Sequence, residues 1–168
     1  SKMDQFWNPV RTWVGEGAAA RTAEILREMG ACGKDVLLLV WNSALLEQEP
    51  FASLLKDNAF RTMPYCFTAS NPTVGQLLEA YRQTRSLRPA AVVAVGGGSI
   101  LDVGKSLCCL YGKDLQSPDA LRELIQEKAY GHPAARWIGI PTTAGTGSET
   151  TCWATIWDPA QDAKRSVE

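Results

Sequence analysis

The chain has 168 residues, 45% of them apolar and 21% charged, with a formal net charge of −1. That length suits one domain, and the composition supports a packed core without staples. Without a lysine- or arginine-rich stripe it lacks the basic face that a nucleic-acid partner demands, and no apolar run or signal pattern points to a membrane.

Residues 6–14 read as an extended aromatic segment, after which Gly15-Glu16-Gly17 turns into a helix. Ala18, Ala19, Ala23, Leu26 and Met29 recur there at helical spacing, and Gly30 suits a left-handed stop. Asp35 leads into the continuous apolar run 36–41, too short for a helix and typical of a strand buried on both faces. A second helix is predicted over 43–56 and a short strand over 65–67. The turn Asn71-Pro72-Thr73 follows, and Thr73 caps a helix carrying Leu77, Leu78 and Tyr81. Then come a strand over 90–95, the turn Gly96-Gly97-Gly98 and a helix from Ser99 to about Tyr111. The next helix covers 117–128, with Pro118 in its first turn. A strand at 137–140 runs into a polar, glycine-rich loop, and 151–157 reads as a final antiparallel strand. This alternation predicts an α/β fold: a doubly wound, mostly parallel sheet with helices on both faces. Ligands on such sheets sit beyond the carboxyl ends of the strands, where both glycine-rich loops fall.

The five cysteines (Cys32, Cys66, Cys108, Cys109, Cys152) are odd in number and include no C-x-x-C pair. They read as small buried apolar residues of a reduced, cytoplasmic protein rather than a disulfide framework.

The first loop places three glycines between a buried strand and a helix. Glycines let a ligand approach the backbone, and the helix start offers unpaired N–H groups and about half a positive charge. Together they make a seat for a pyrophosphate. A plainer reading makes Ser99 and Asp102 a capping box, with Lys105 as a surface ion-pair partner, but it leaves three consecutive glycines unexplained. The second loop, 141–149, packs four hydroxyls and two glycines into positions 142–148. Alone it could be a connecting loop with Ser148 as a cap. Two such loops at two parallel strand ends predict a crevice with one wall for each half of a dinucleotide. Gly15-Glu16-Gly17-Ala18-Ala19-Ala20 also matches G-x-G-x-x-A, with Asp35 about twenty residues on. The acid of that fingerprint belongs at the carboxyl end of its strand. Asp35 stands at the amino end and Asn42 at the carboxyl end, so this match is read as a decoy.

The segment from Gly96 to Lys105 resembles the GGGS-x-x-D-x-x-K motif of the iron-containing (group III) alcohol dehydrogenases. PTTAGTGSE at 141–149 is similar to that family's second hallmark, Asn71-Pro72-Thr73 to its NPT turn, and Gly15-x-Gly17-Ala18 to the start of its first helix. The resemblance runs from about Phe6 to the end of the chain. It implies the N-terminal, dehydroquinate synthase-like NAD(P)-binding domain over 1–168, with the helical metal-binding domain absent from this chain. Gly97, Gly98, Ser99 and Asp102 would then hold the pyrophosphate and nearby nicotinamide side. Thr142, Thr143 and Thr146, with Ser148, would line the adenosine side, Asn71 would border the adenine, and Lys164 would lie near the ribose. Asn42 stands where the family often carries Asp, which leaves the choice between NAD and NADP open. The family's Fe²⁺ (or Zn²⁺) is held by one Asp and three His. With His132 the only histidine, such a site cannot be assembled here, so its ligands are expected outside this chain.

The resemblance implies a hydride-transferring oxidoreductase acting on a small alcohol or aldehyde, with cofactor placement as this chain's share and no catalytic residue in it. The 168-residue chain alone is expected to be inactive, and the full-length enzyme to be a homo-oligomer. The run 154–158 is faintly similar to phosphonoacetaldehyde reductases. Two alternatives stay open: a stand-alone nucleotide-binding module, and a relative of the dehydroquinate synthase or glycerol dehydrogenase type.

Overall fold

The structure is a computed structural model, and it describes residues 11–13, 19–113, 115, 117–127, 134–142 and 154–157. Six strands form one sheet: β1 (Arg11–Trp13), β2 (Asp35–Val40), β3 (Arg61–Cys66), β4 (Ala91–Gly96), β5 (Arg136–Pro141) and β6 (Ala154–Trp157). Their order is β1-β6-β5-β4-β2-β3. The four strands from β5 to β3 are mutually parallel, while β6 and β1 close the other side in antiparallel pairing. The doubly wound α/β expectation holds, and so does the antiparallel last strand.

Helices α1 (Thr22–Glu28), α2 (Phe51–Lys56), α3 (Val74–Thr84), α4 (Gly98–Leu110) and α5 (Pro118–Glu127) flank the sheet. Alternation along the central strands divides the core in two. Leu37, Leu39, Val92 and Ala94 pack with Leu78, Tyr81, Leu107 and Leu121 from α3, α4 and α5. Val36, Leu38, Val40, Val93 and Val95 pack with Ile25, Leu26, Phe51 and Leu54 from α1 and α2. The strand residues of both sets are fully buried, each valine and leucine contributing about 1.5–3 kcal/mol. A strand buried on both faces cannot alternate with polar residues, which is why β2 and β4 read as continuous apolar runs.

The helix boundaries follow local chemistry. Gly30 takes φ +80° after α1, and the bonds Ala31 N→Leu26 O and Gly30 N→Arg27 O, both 3.0 Å, complete a Schellman stop. Thr73 caps α3 in a reciprocal box with Gln76. Ser117 Oγ accepts from Ala120 N at the start of α5.

Three expectations need correction. The helix predicted over 43–56 is two pieces, a 3-10 turn at Ser43–Glu47 and then α2. Pro50 lacks an N–H and disfavours helical geometry at Glu49, so the run breaks there. The strand predicted over 65–67 is the six-residue β3, which includes Pro64. Finally, Cys32 and Cys66 are exposed, whereas Cys108 and Cys109 are buried on α4; Cys152 lies outside the described residues.

The decoy fingerprint fails for a second reason. A dinucleotide βαβ unit needs its first two strands parallel and adjacent, yet β1 sits at the far edge of the sheet, away from β2. Asp35 pairs with Arg61 at 2.7 Å, on the amino side of the sheet.

Candidate functional site: a cleft at the carboxyl edge of the sheet

From β2 the chain moves outward to β3, and α3 then carries it back across β2 to β4. The connections therefore diverge between β2 and β4, the kind of switch point at which parallel α/β sheets hold ligands. A cleft of about 310 Å³ opens there, lined by Trp41, residues 67–70, Gly97, Gly98, Ser99, Ile100 and Thr142. Each parallel strand contributes the residues just beyond its carboxyl end.

The glycine run is divided in function. Gly96 ends β4 at φ +151°, and a Cβ there would lie 2.8 Å from Trp41 Cδ1 and closer still to Ile100 Cγ2. Only glycine fits that backbone and that space. Among the described residues, nothing lies within 4 Å of a Cβ added at Gly97 or Gly98. Their backbone faces open volume as α4 begins, with Gly97 as N-cap and no side chain bonded into the cap. The first N–H groups of α4 therefore lack intrahelical partners. Among the described residues the lining carries no ionisable side chain. Attraction for an anion comes from the helix terminus, about half a positive charge.

Ser99 does not cap α4, contrary to the plainer reading. Its Oγ donates to the Ser70 carbonyl, tying the helix start to the segment after β3. Lys105 is not a surface lysine. It is 7% exposed, and its Nζ lies 4.6 Å from the centroid of the Trp137 ring.

Of the residues singled out in the sequence, Gly97, Gly98, Ser99 and Thr142 come together in the cleft, and Thr142 N donates to Gly96 O at 3.1 Å. Asn42 is exposed one residue beyond Trp41, where its Oδ1 accepts from Ala44 N at 2.8 Å. That bond leaves the amide N–H₂ as its outward group. Asn71 is exposed one residue beyond Ser70. Asp102 lines a separate, smaller depression beside Pro72, Thr73 and Leu77. Thr143, Thr146, Ser148, Lys164 and His132 lie outside the described residues.

Sequence reasoning missed Trp41, Phe67, Thr68, Ala69, Ser70 and Ile100. Trp41 carried a signal, an aromatic at the very end of an apolar strand. The segment 67–70 would have followed from the correct end of β3. Trp41 is half-buried, and its Nε1 is buried without a hydrogen-bond partner among the described residues.

A mostly parallel α/β sheet with a glycine loop and a helix start opening into a cleft at its switch point defines a domain of the doubly wound class. The chain belongs to the iron-containing alcohol dehydrogenase family, whose family model matches residues 9–168. It is 34% identical over 122 residues to phosphonoacetaldehyde reductase of Streptomyces viridochromogenes, covering 70% of this chain and 31% of that protein. Its fold is similar to an iron-containing alcohol dehydrogenase from Thermotoga maritima, with a TM-score of 0.62 and 26% identity over 83% of this chain and 38% of that one. Sulfoacetaldehyde reductase from Bifidobacterium kashiwanohense, solved in complex with NAD+, gives a TM-score of 0.61 and 27% identity over 83% of this chain and 36% of that one. The chain thus spans about a third of the length of these relatives.

Among the described residues no group of three or more His, Cys, Asp or Glu side chains is placed to hold a metal ion. The described residues therefore supply no donor set for the family's iron. No described helix is long and apolar enough to cross a membrane.

Proposed function

We propose that residues 1–168 form the dinucleotide-binding domain of an NAD(P)-dependent reductase or dehydrogenase acting on a small aldehyde or alcohol. The observation that carries this reading is the uncharged cleft at the β2/β4 switch point, where Gly97 and Gly98 expose backbone to open volume at the start of α4. A pyrophosphate seated there meets main-chain N–H groups and the positive end of the helix, with no Cβ in its path. The NAD+ of the sulfoacetaldehyde reductase supports a nicotinamide dinucleotide as the ligand.

In this reading Gly97, Gly98 and Ser99 hold the pyrophosphate. Thr142 supports it from β5, joined by Thr143 and Thr146 with Ser148. Asn42 and Asn71 flank the adenosine, and Lys164 lies near its ribose. Asp102 belongs to the nicotinamide side, next to the depression it lines with Pro72 and Thr73. When bound, the nicotinamide supplies or accepts the hydride. The residues of this chain bind it, orient it and shield it from water. Similarity to phosphonoacetaldehyde reductase and sulfoacetaldehyde reductase favours a short aldehyde that bears an anionic group. The metal ligands and the remaining substrate contacts are assigned outside this chain, in a homo-oligomeric, cytoplasmic enzyme.

The test is Gly98→Val. The side chain meets none of the described residues, so far-UV circular dichroism should match the parent while NADH binding, followed by fluorescence, is lost. Undiminished binding would place the pyrophosphate elsewhere.

A further inference from the structure

We infer that Trp41 is the aromatic wall against which the adenosine half of the dinucleotide packs, so that this cleft selects a ligand bearing a base. The inference rests on the nucleotide reading above and adds a residue to it. Three observations carry it. Trp41 follows β2 directly and neighbours Asn42, on the opposite side of the switch point from the glycine loop. Its indole is braced in place: the Cδ1 edge lies against Gly96, where even a methyl group would not fit, and Ile100 presses on the same glycine. The ring also packs against the apolar clusters on both faces of the sheet. A ring held this way loses little freedom when a ligand arrives.

The third observation concerns which part of the ring a ligand meets. Nε1 is buried and without a hydrogen-bond partner among the described residues, while the residue as a whole is half-buried and lines the cleft. Whatever part of the indole meets the cleft is therefore carbon rather than a donor, which suits stacking. Phe67 and Ile100 add apolar lining to the same cleft, which Thr68 and Ser70 also border. A flat, weakly polar base fits such a wall, and an offset ring pair gains beyond its buried area. Pyrophosphate or a short aldehyde alone gains nothing from it.

The experiment compares the parent protein with Trp41→Leu and Trp41→Phe, titrating ADP-ribose, NADH and reduced nicotinamide mononucleotide. Trp41→Leu should weaken ADP-ribose and NADH about tenfold and leave the mononucleotide unchanged. Trp41→Phe keeps a ring against Gly96 and should lose about threefold. AMP should quench indole emission in the parent and not in Trp41→Phe. Unchanged ADP-ribose affinity in Trp41→Leu overturns the assignment while leaving the nucleotide reading intact. An equal loss for the mononucleotide also overturns it, because that pattern marks collapse of the glycine loop. If the parent binds neither ADP-ribose nor NADH, both readings fall together.

Discussion

At position 96 an added methyl would strike Ile100 and Trp41, whereas at position 97 it would enter the open cleft. The two neighbours should therefore fail in opposite assays. Gly96→Ala combines overpacking with a backbone at φ +151° and should lower stability by about 2–3 kcal/mol in urea unfolding. Gly97→Ala changes only an N-cap and should cost less than about 1 kcal/mol, yet it narrows the pyrophosphate seat and should weaken NADH. The sequence marked all three glycines as a unit, but the division of labour depends on φ and on what stands opposite, neither of which is local. Asn42 gives a second case. Its Oδ1 caps the turn at Ala44, and a carboxylate caps equally well, so Asn42→Asp should fold normally. A new negative charge beside a 2′-phosphate should weaken NADPH by about 1–3 kcal/mol and leave NADH little changed. Fluorescence titration of both cofactors decides it, and equal NADPH affinity removes Asn42 from the site.

Elements were legible where local chemistry sets them and blurred where the sheet decides. The Thr73 cap and the Gly30 stop could be placed to the residue, because capping is written in neighbouring positions, although the reciprocal bond from Gln76 appears only in the structure. Strand β3 could not, because Pro64 argues against a strand unless its missing N–H faces away from the partner. It does. Arg61 N and Phe67 N both donate to the β2 side, so by the two-residue period the nitrogens of Thr62, Pro64 and Cys66 face the outer edge. Among the described residues β3 pairs only with β2. Pro64 thus blunts an open edge that would otherwise template pairing with another chain. Pro64→Thr restores the central outward donor and should make the protein self-associate with rising concentration, as read by analytical ultracentrifugation. A variant that sediments like the parent at every concentration would show the edge to be protected by something else.

At the scale of the whole molecule, the alternation of strands and helices gave the parallel sheet, whereas the strand order did not follow from the sequence. Order depends on which non-consecutive strands pair, and that is settled by the two-faced burial of β2 and β4 rather than by any motif. The order decides function, since it creates the switch point and brings residues from four strand ends into one cleft. A site assembled from elements this far apart couples binding to global folding, because the unfolded chain has no cleft. NADH at one hundred times its dissociation constant should therefore stabilise the 168-residue chain by about 2.7 kcal/mol. For a domain of this size that raises the thermal midpoint by about 5–10 °C. Fe²⁺ and Zn²⁺ should behave differently. With His132 the only histidine and no cluster of three donors among the described residues, folding should add no metal contacts that the unfolded chain lacks. Scanning calorimetry with NADH, with each metal, and with both should show the full rise with NADH and no further rise from metal. The same chain should show no alcohol oxidation above a no-protein control in any of these mixtures. A metal-induced rise comparable to that of NADH would place a metal site in this domain and overturn the division between cofactor and metal proposed here.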